Sequence, residues 1–254
     1  TVSIVEFSFS TRVDLHSAGN MRDDAQVSSI AKAGIELAKG ILLYDLKQQG
    51  SPVYYVSGED IDYTKQFWSQ ACKFPPIPMD LDQGLTGDFR GVITDEGGKI
   101  PLNLLVDPQK GPPDDVNRKL EAVLKRLFVI LGVDGNLVEA VEDWIDQDSM
   151  PRTYGAESGP SCVGCPDYSP KNGPLTTITE LRMVKGMMEK DKEEKMPYQR
   201  LIERLPHEGD EDKGLWCALD AMDSPYLTVY PMEFTTTVTI NIITAPLEVI
   251  RALF

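Results

Sequence analysis

Gln26-Val27-Ser28-Ser29-Ile30-Ala31-Lys32-Ala33-Gly34-Ile35-Glu36-Leu37-Ala38-Lys39-Gly40-Ile41-Leu42-Leu43-Tyr44 places Val27, Ile30, Gly34, Leu37, Ile41 and Tyr44 at alternating steps of three and four. That spacing marks one face of a helix. Ala31, Ile35, Ala38, Leu42 and Leu46 widen the stripe, while Arg22, Asp23, Lys32, Glu36, Lys39, Lys47 and Gln48 lie away from it. No proline precedes Pro52. A helix unbroken from Thr1 to Gln48 is roughly 70 Å long at about 1.5 Å per residue, longer than a compact domain of this size. Its first half is then expected to project, and the stripe from Val27 to Tyr44 to pack on a sheet. The alternative is two ordinary helices parted at Ser17-Ala18-Gly19-Asn20, where Gly19 permits a break.

Downstream, Val53-Tyr54-Tyr55-Val56 reads as a short strand, and a proline-rich stretch runs on to Met79. Two extended runs between Asp88 and Leu105 flank Asp95-Glu96-Gly97-Gly98 and predict a β-hairpin. After Gly111-Pro112-Pro113 the period turns helical, through Val116, Leu120, Val123, Leu124, Leu127 and Leu131, with Asp114 or Asp115 as N-cap. Gly132-Val133-Asp134-Gly135 ends that helix, and Leu137, Val138, Val141, Trp144 and Ile145 form the next. Thr177-Ile178-Thr179-Glu180 has the pattern of a capping box before Leu181, Val184 and Met188. Tyr198, Leu201, Ile202 and Leu205 mark a further short helix, and the alternation from Thr236 to Ile242 predicts a strand. Helix, strands, helical block and returning strand suggest an α+β fold with a helical insertion. The expected division is 1–110, 111–225 and 226–254.

Composition narrows the function. At 254 residues with 41% hydrophobic and 26% charged residues, the chain can build a real core without disulfides or metals. Asp and Glu number 40 against 25 Lys and Arg, a formal charge of -15. Such a surface repels phosphate backbones and anionic headgroups, so no nucleic-acid partner is expected. A helix-hairpin-helix module, hinted at by Ile242-Ile243-Thr244-Ala245, lacks the basic face it needs. His16 and His207 are the two histidines, and no P-loop, nucleophile elbow or Gly-rich dinucleotide fingerprint is present, so no enzyme is expected. Cys162-Val163-Gly164-Cys165 admits a local disulfide, a periplasmic thiol-disulfide redox pair, or half of a zinc site completed by Cys72 and Cys217. Neither a starting Met nor a run of eighteen apolar residues occurs, and the chain reads as a fragment at both ends.

The sharpest local feature is Asp143-Trp144-Ile145-Asp146-Gln147-Asp148-Ser149-Met150-Pro151-Arg152-Thr153-Tyr154-Gly155-Ala156-Glu157. Asp143 and Asp146 share a helix face, Glu142 lies beside them, and Asp148 follows as the helix ends ahead of Pro151. Carboxylates at the negative end of a helix dipole require compensation. Arg152 supplies part of it, and a hard cation held by oxygen ligands can supply the rest. Counted from Asp146, acidic residues fall at the first, third and twelfth places, as in an EF-hand. Met150 and Pro151 occupy the fifth and sixth places, where a ligand and a glycine belong, so the loop is not an EF-hand.

This stretch resembles the most distinctive motif of the K-type minor pseudopilins of the bacterial type II (general) secretion pathway. Three further segments match that family in order. They are Asp95-Glu96-Gly97-Gly98-Lys99-Ile100-Pro101-Leu102-Asn103, the run from Asn172-Gly173-Pro174-Leu175 to Glu180-Leu181-Arg182-Met183-Val184-Lys185-Gly186, and Thr239-Ile240-Asn241-Ile242-Ile243-Thr244-Ala245-Pro246-Leu247-Glu248-Val249-Ile250. The resemblance implies a pseudopilin fold, a long N-terminal helix packed on an antiparallel sheet, with a large inserted α-helical domain. It also implies calcium in the acidic loop, with Asp143, Asp146, Asp148, Glu157 and Asp167 as candidate ligands. A non-enzymatic position at the pseudopilus tip follows, with the I-type and J-type minor pseudopilins and other pseudopilins as partners. The implied location is periplasmic, with an inner-membrane anchoring helix ahead of Thr1 and further strands beyond Phe254.

Overall fold

The apolar stripe is realised as one continuous helix, α1 (Val2–Gln48), whose 47 residues span about 70 Å. This computed structural model describes residues 2–48, 77–81, 85–89, 91, 93–111, 114–157, 169–190, 194–203 and 224–254. The expected strand at Val53–Val56, all four cysteines, Asp167, Leu205 and His207 lie outside them. The chain forms two compact units, one ending at Thr94 and the other running from Asp95 to Phe254.

In the first unit, α1 packs against an antiparallel hairpin of β1 (Ile77–Leu81) and β2 (Leu85–Phe89), closed by the pair Leu81 and Leu85. Gly87 makes the approach possible, because a Cβ there would stand 2.6 Å from Ile30 Cδ1. The packed face is narrower than the stripe. Ile30 and Gly34 are buried and Ala33, Ala38 and Ile41 half-buried, whereas Val27, Leu37 and Tyr44 are exposed. A two-stranded ribbon covers one line of side chains rather than a broad stripe.

The second unit is built on helices. Asp95-Glu96-Gly97-Gly98 is not a hairpin loop but a 3-10 turn, Glu96–Gly98, capped by Asp95, whose carboxylate accepts from Gly97 N at 2.8 Å. Beyond it β3 (Ile100–Pro101) pairs in parallel with the distant β4 (Leu227–Thr228). Helix α2 (Arg118–Ile130) buries Leu120, Leu124, Leu127 and Phe128. Its N-cap is Asn117, whose Oδ1 accepts from Leu120 N at 3.3 Å, and not Asp114 or Asp115. The bridge between Val106 and Val116 holds the preceding residues extended, so the helix starts later than the apolar period suggests. It ends in a Schellman turn: Gly132 at φ +73 donates to Val129 O, and Val133 N donates to Phe128 O at 2.7 Å.

Helix α3 (Leu137–Ile145) follows as expected. At Thr177–Glu180 a 3-10 helix, Ile178–Met183, replaces the expected capped α-helix. Thr177 makes no capping bond, and Glu180 instead accepts from Thr176 N and from Lys171. Helix α4 (Pro197–Ile202) starts on its proline, and α5 (Leu247–Leu253) packs on α2, where Arg126 donates to the terminal carbonyls of Ala252 and Leu253. The expected strand from Thr236 to Ile242 does not form. Its alternation survives as burial alone: Val238 and Ile240 pack on the core while Thr237 and Thr239 face outward. The architecture is therefore α+β, with helices and two-stranded sheets among the described residues.

Candidate metal centre

Helix α3 presents Glu142, Asp143 and Asp146 within its last turn and C-cap, and all three are buried. The chain then turns back. Asp148 caps the turn through Met150 N at 2.7 Å, Asn172 holds the Asp148 carbonyl at 2.9 Å, and Glu139 accepts from Tyr154 N at 3.1 Å. Gly155 passes so close over Asp143 that a Cβ would lie 1.9 Å from its Oδ2. Only glycine fits there, and the passage brings Glu157 inside, fully buried.

Arg152 lies at the middle of this loop and reaches four carboxylates. Its Nε meets Glu142 Oε2 at 2.9 Å, Nη2 meets Asp115 Oδ2 at 2.6 Å, and Nη1 meets both Asp143 Oδ1, at 2.7 Å, and Asp146 Oδ2. Its backbone N–H also donates to Asp143 Oδ2 at 3.1 Å. One positive charge among four carboxylates leaves a large negative excess in a medium where charge is costly. Burial accordingly pushes the Glu142 carboxyl up to about 8 and Asp146 up to about 6, and raises Asp143, in each case against the pull of Arg152. Burial also opposes charge on Arg152, but its bonds to Asp143 and Asp146 raise its pKa and keep it a cation.

Of the five ligands expected from sequence, four come together. Oxygens of Asp143, Asp146 and Glu157 lie within 4.8 Å of one another, and so do oxygens of Asp115, Asp146 and Asp148. Asp146 belongs to both groups. Asp115 was expected as a helix cap and is instead part of the centre, which no local spacing announces because it stands 37 residues before Arg152. The donor set is hard oxygen throughout. Asp115 Oδ1, Glu142 Oε1 and Asp146 Oδ1 are buried and accept no hydrogen bond. Enclosed, partly unsatisfied carboxylates in this number suit a dication such as calcium better than a soft metal.

Fold and site together define an α+β protein whose helical unit is organised around a buried, oxygen-only acidic centre. Residues 98–207, which contain the loop and Arg152, match the family model for the type II secretion system (T2SS), protein K, and the resemblance to that family is borne out. The chain is 29% identical over 199 residues to type II secretion system protein K of Pseudomonas aeruginosa, covering 76% of this chain and 54% of that one. It is 29% identical over 168 residues to the putative protein K of Escherichia coli K12, covering 65% and 47%. Against the protein K of Dickeya chrysanthemi the identity is 39% over 69 residues, 26% of this chain and 18% of the relative. The chain thus spans about half the length of the first two curated relatives. Among solved structures, the crystal structure of the GspK-GspI-GspJ complex from enterotoxigenic Escherichia coli is similar at 20% identity and a TM-score of 0.49, covering 87% of this chain and 68% of that one.

Proposed function

We propose that this chain is a minor pseudopilin that caps the tip of the type II secretion pseudopilus and supports protein export through assembly rather than catalysis. The observation that carries the reading is the protein K match over residues 98–207, the stretch that contains the acidic centre. Helix α1 packed on an antiparallel hairpin supports a pseudopilin fold in which α1 is the stem. In this reading the helical unit offers no complementary surface to a further subunit, so a heterologous assembly ends there by geometry. The partners are the I-type and J-type minor pseudopilins, and the location is periplasmic, with inner-membrane anchoring before assembly. Mixing the chain with soluble I and J subunits and measuring the mass by light scattering is expected to give a stable 1:1:1 complex. Separate species at micromolar concentration would overturn the reading.

The same reading assigns calcium to the acidic centre, held by Asp143, Asp146 and Glu157 and by Asp115, Asp146 and Asp148. Bound there, it supplies the positive charge that ties the end of α3 to the loop after it. At a hundredfold excess over its Kd a ligand adds about 2.7 kcal/mol, or roughly 5–10 °C for a chain of this size. Melting temperature should rise with calcium and fall with EDTA, and the response should vanish when Asp146→Ala is combined with Asp148→Ala. A wild-type chain that melts identically with either addition would remove the metal.

A further inference from the structure

We infer that Arg152 is a positioning residue of this metal centre, its guanidinium binding one oxygen of each of Asp115, Glu142, Asp143 and Asp146 and so leaving the opposite oxygens of Asp115, Glu142 and Asp146 for a cation. The inference rests on the calcium reading above and concerns how that site is built. Each of the four carboxylates spends a single oxygen on the guanidinium side chain: Asp115 Oδ2, Glu142 Oε2, Asp143 Oδ1 and Asp146 Oδ2. In three of them the opposite oxygen, Asp115 Oδ1, Glu142 Oε1 and Asp146 Oδ1, is buried and accepts no hydrogen bond. Asp115 and Asp146 are also members of the oxygen groups that lie within 4.8 Å of one another. In Asp115, Glu142 and Asp146, one oxygen faces the arginine and the other is left for a second cation, whereas both oxygens of Asp143 are engaged by Arg152, Oδ1 by the guanidinium and Oδ2 by the backbone N–H.

The side chain chemistry explains why an arginine stands here. Its planar fork carries five N–H donors in fixed directions, so one group can hold four carboxylates at set angles. Lysine carries the same charge as a point on a flexible stem and cannot do so. The loop also delivers Arg152 from the far side, through Pro151 and the bond from its own backbone N–H to Asp143. Without the fork, four buried carboxylates drawn from α3 and from the segment before α2 would repel one another and separate before an ion arrives.

The usual rule for a positive charge beside a cation site is repulsion, so its removal should tighten binding. The positioning role predicts the opposite. Terbium luminescence titrations, with calcium competition, of the whole chain should show Arg152→Lys and Arg152→Gln binding at least tenfold more weakly than the wild type. Methylguanidinium at millimolar concentration should restore part of the affinity of Arg152→Gln, and methylammonium should not. Equal or tighter binding by Arg152→Gln, or wild-type affinity in Arg152→Lys, would overturn the proposal and leave Arg152 a counter-ion. Should Arg152→Gln fail to fold, recovery of its melting transition by saturating calcium would also overturn it, since the ion would then replace the arginine, while failure to recover supports it. A wild-type chain that takes up neither ion removes the metal reading itself, and this inference with it.

Discussion

Asn103 shows how much one side chain can hold. Its Nδ2 donates to Leu175 O at 2.9 Å and to Val229 O at 2.6 Å, and its Oδ1 accepts from Leu175 N at 2.8 Å. Buried almost completely, it ties three distant segments together. Asn103→Ala would leave those backbone groups unsatisfied and is expected to cost about 3 kcal/mol, roughly a 10 °C fall in melting temperature. Gly155→Ala tests the acidic centre from another side. Asp143 is held by Arg152 and cannot swing away from an added methyl, so the change should destabilise the chain by about 1–3 kcal/mol in thermal melts and weaken any response to calcium. Asp143, Asp146, Asp148 and Glu157 were legible because they lie within one short stretch of chain, from the last turn of α3 into the loop after it. Asp115 was not, because only the extended pairing of Asp107 with Asp115, at 2.7 Å, turns it away from capping and toward Arg152.

Among the elements, α2 and α3 follow directly from their apolar period, and the cap of α2 is a measurable correction to it. Asn117→Ala should cost about 1 kcal/mol and Asp114→Ala less than about 0.5 kcal/mol, read as shifts in denaturant midpoint. The 3-10 helix at Ile178–Met183 carries a pH signature. Against the burial that would raise it, the Thr176 bonds and Lys171 hold the Glu180 carboxyl below its ordinary value of 4.5. A lowered folded pKa stabilises fully above the unfolded value and is lost as pH falls through the folded one. Melts from pH 6 to pH 3 should therefore show a shallower loss of stability in Glu180→Gln than in the wild type. Strands were less legible than helices, since a helix closes its own hydrogen bonds while a strand needs a partner that periodicity cannot name. Thr236–Ile242 has the alternation without the partner, and Ile100 found its partner at Leu227, far along the chain.

For the whole molecule, the apolar surface that α1 leaves uncovered is the place to test the proposed assembly. Val27 is 67% exposed and Leu43 57% exposed, on a helix that the hairpin covers along a single line. Val27→Asp and Leu43→Asp should leave the melting of the isolated chain within about 0.5 kcal/mol of wild type. The same changes should reduce the yield of the complex with I and J subunits in size-exclusion chromatography, and an undiminished yield would take the stem role from this face. What the sequence by itself determined is the helical period of the N-terminal segment, the helical block, the strongly negative net charge and the acidic loop with four of its candidate ligands. All of these rest on neighbours in the chain, on periods of three to four residues, or on summed charge. Tertiary structure alone decided which line of α1 is buried, where β3 finds its pair, and that one arginine gathers four carboxylates, two from α3, one from its C-cap and one from the segment before α2. Those outcomes depend on which distant groups meet in a place without water, where an unpaired charge or backbone group costs more than any local preference returns.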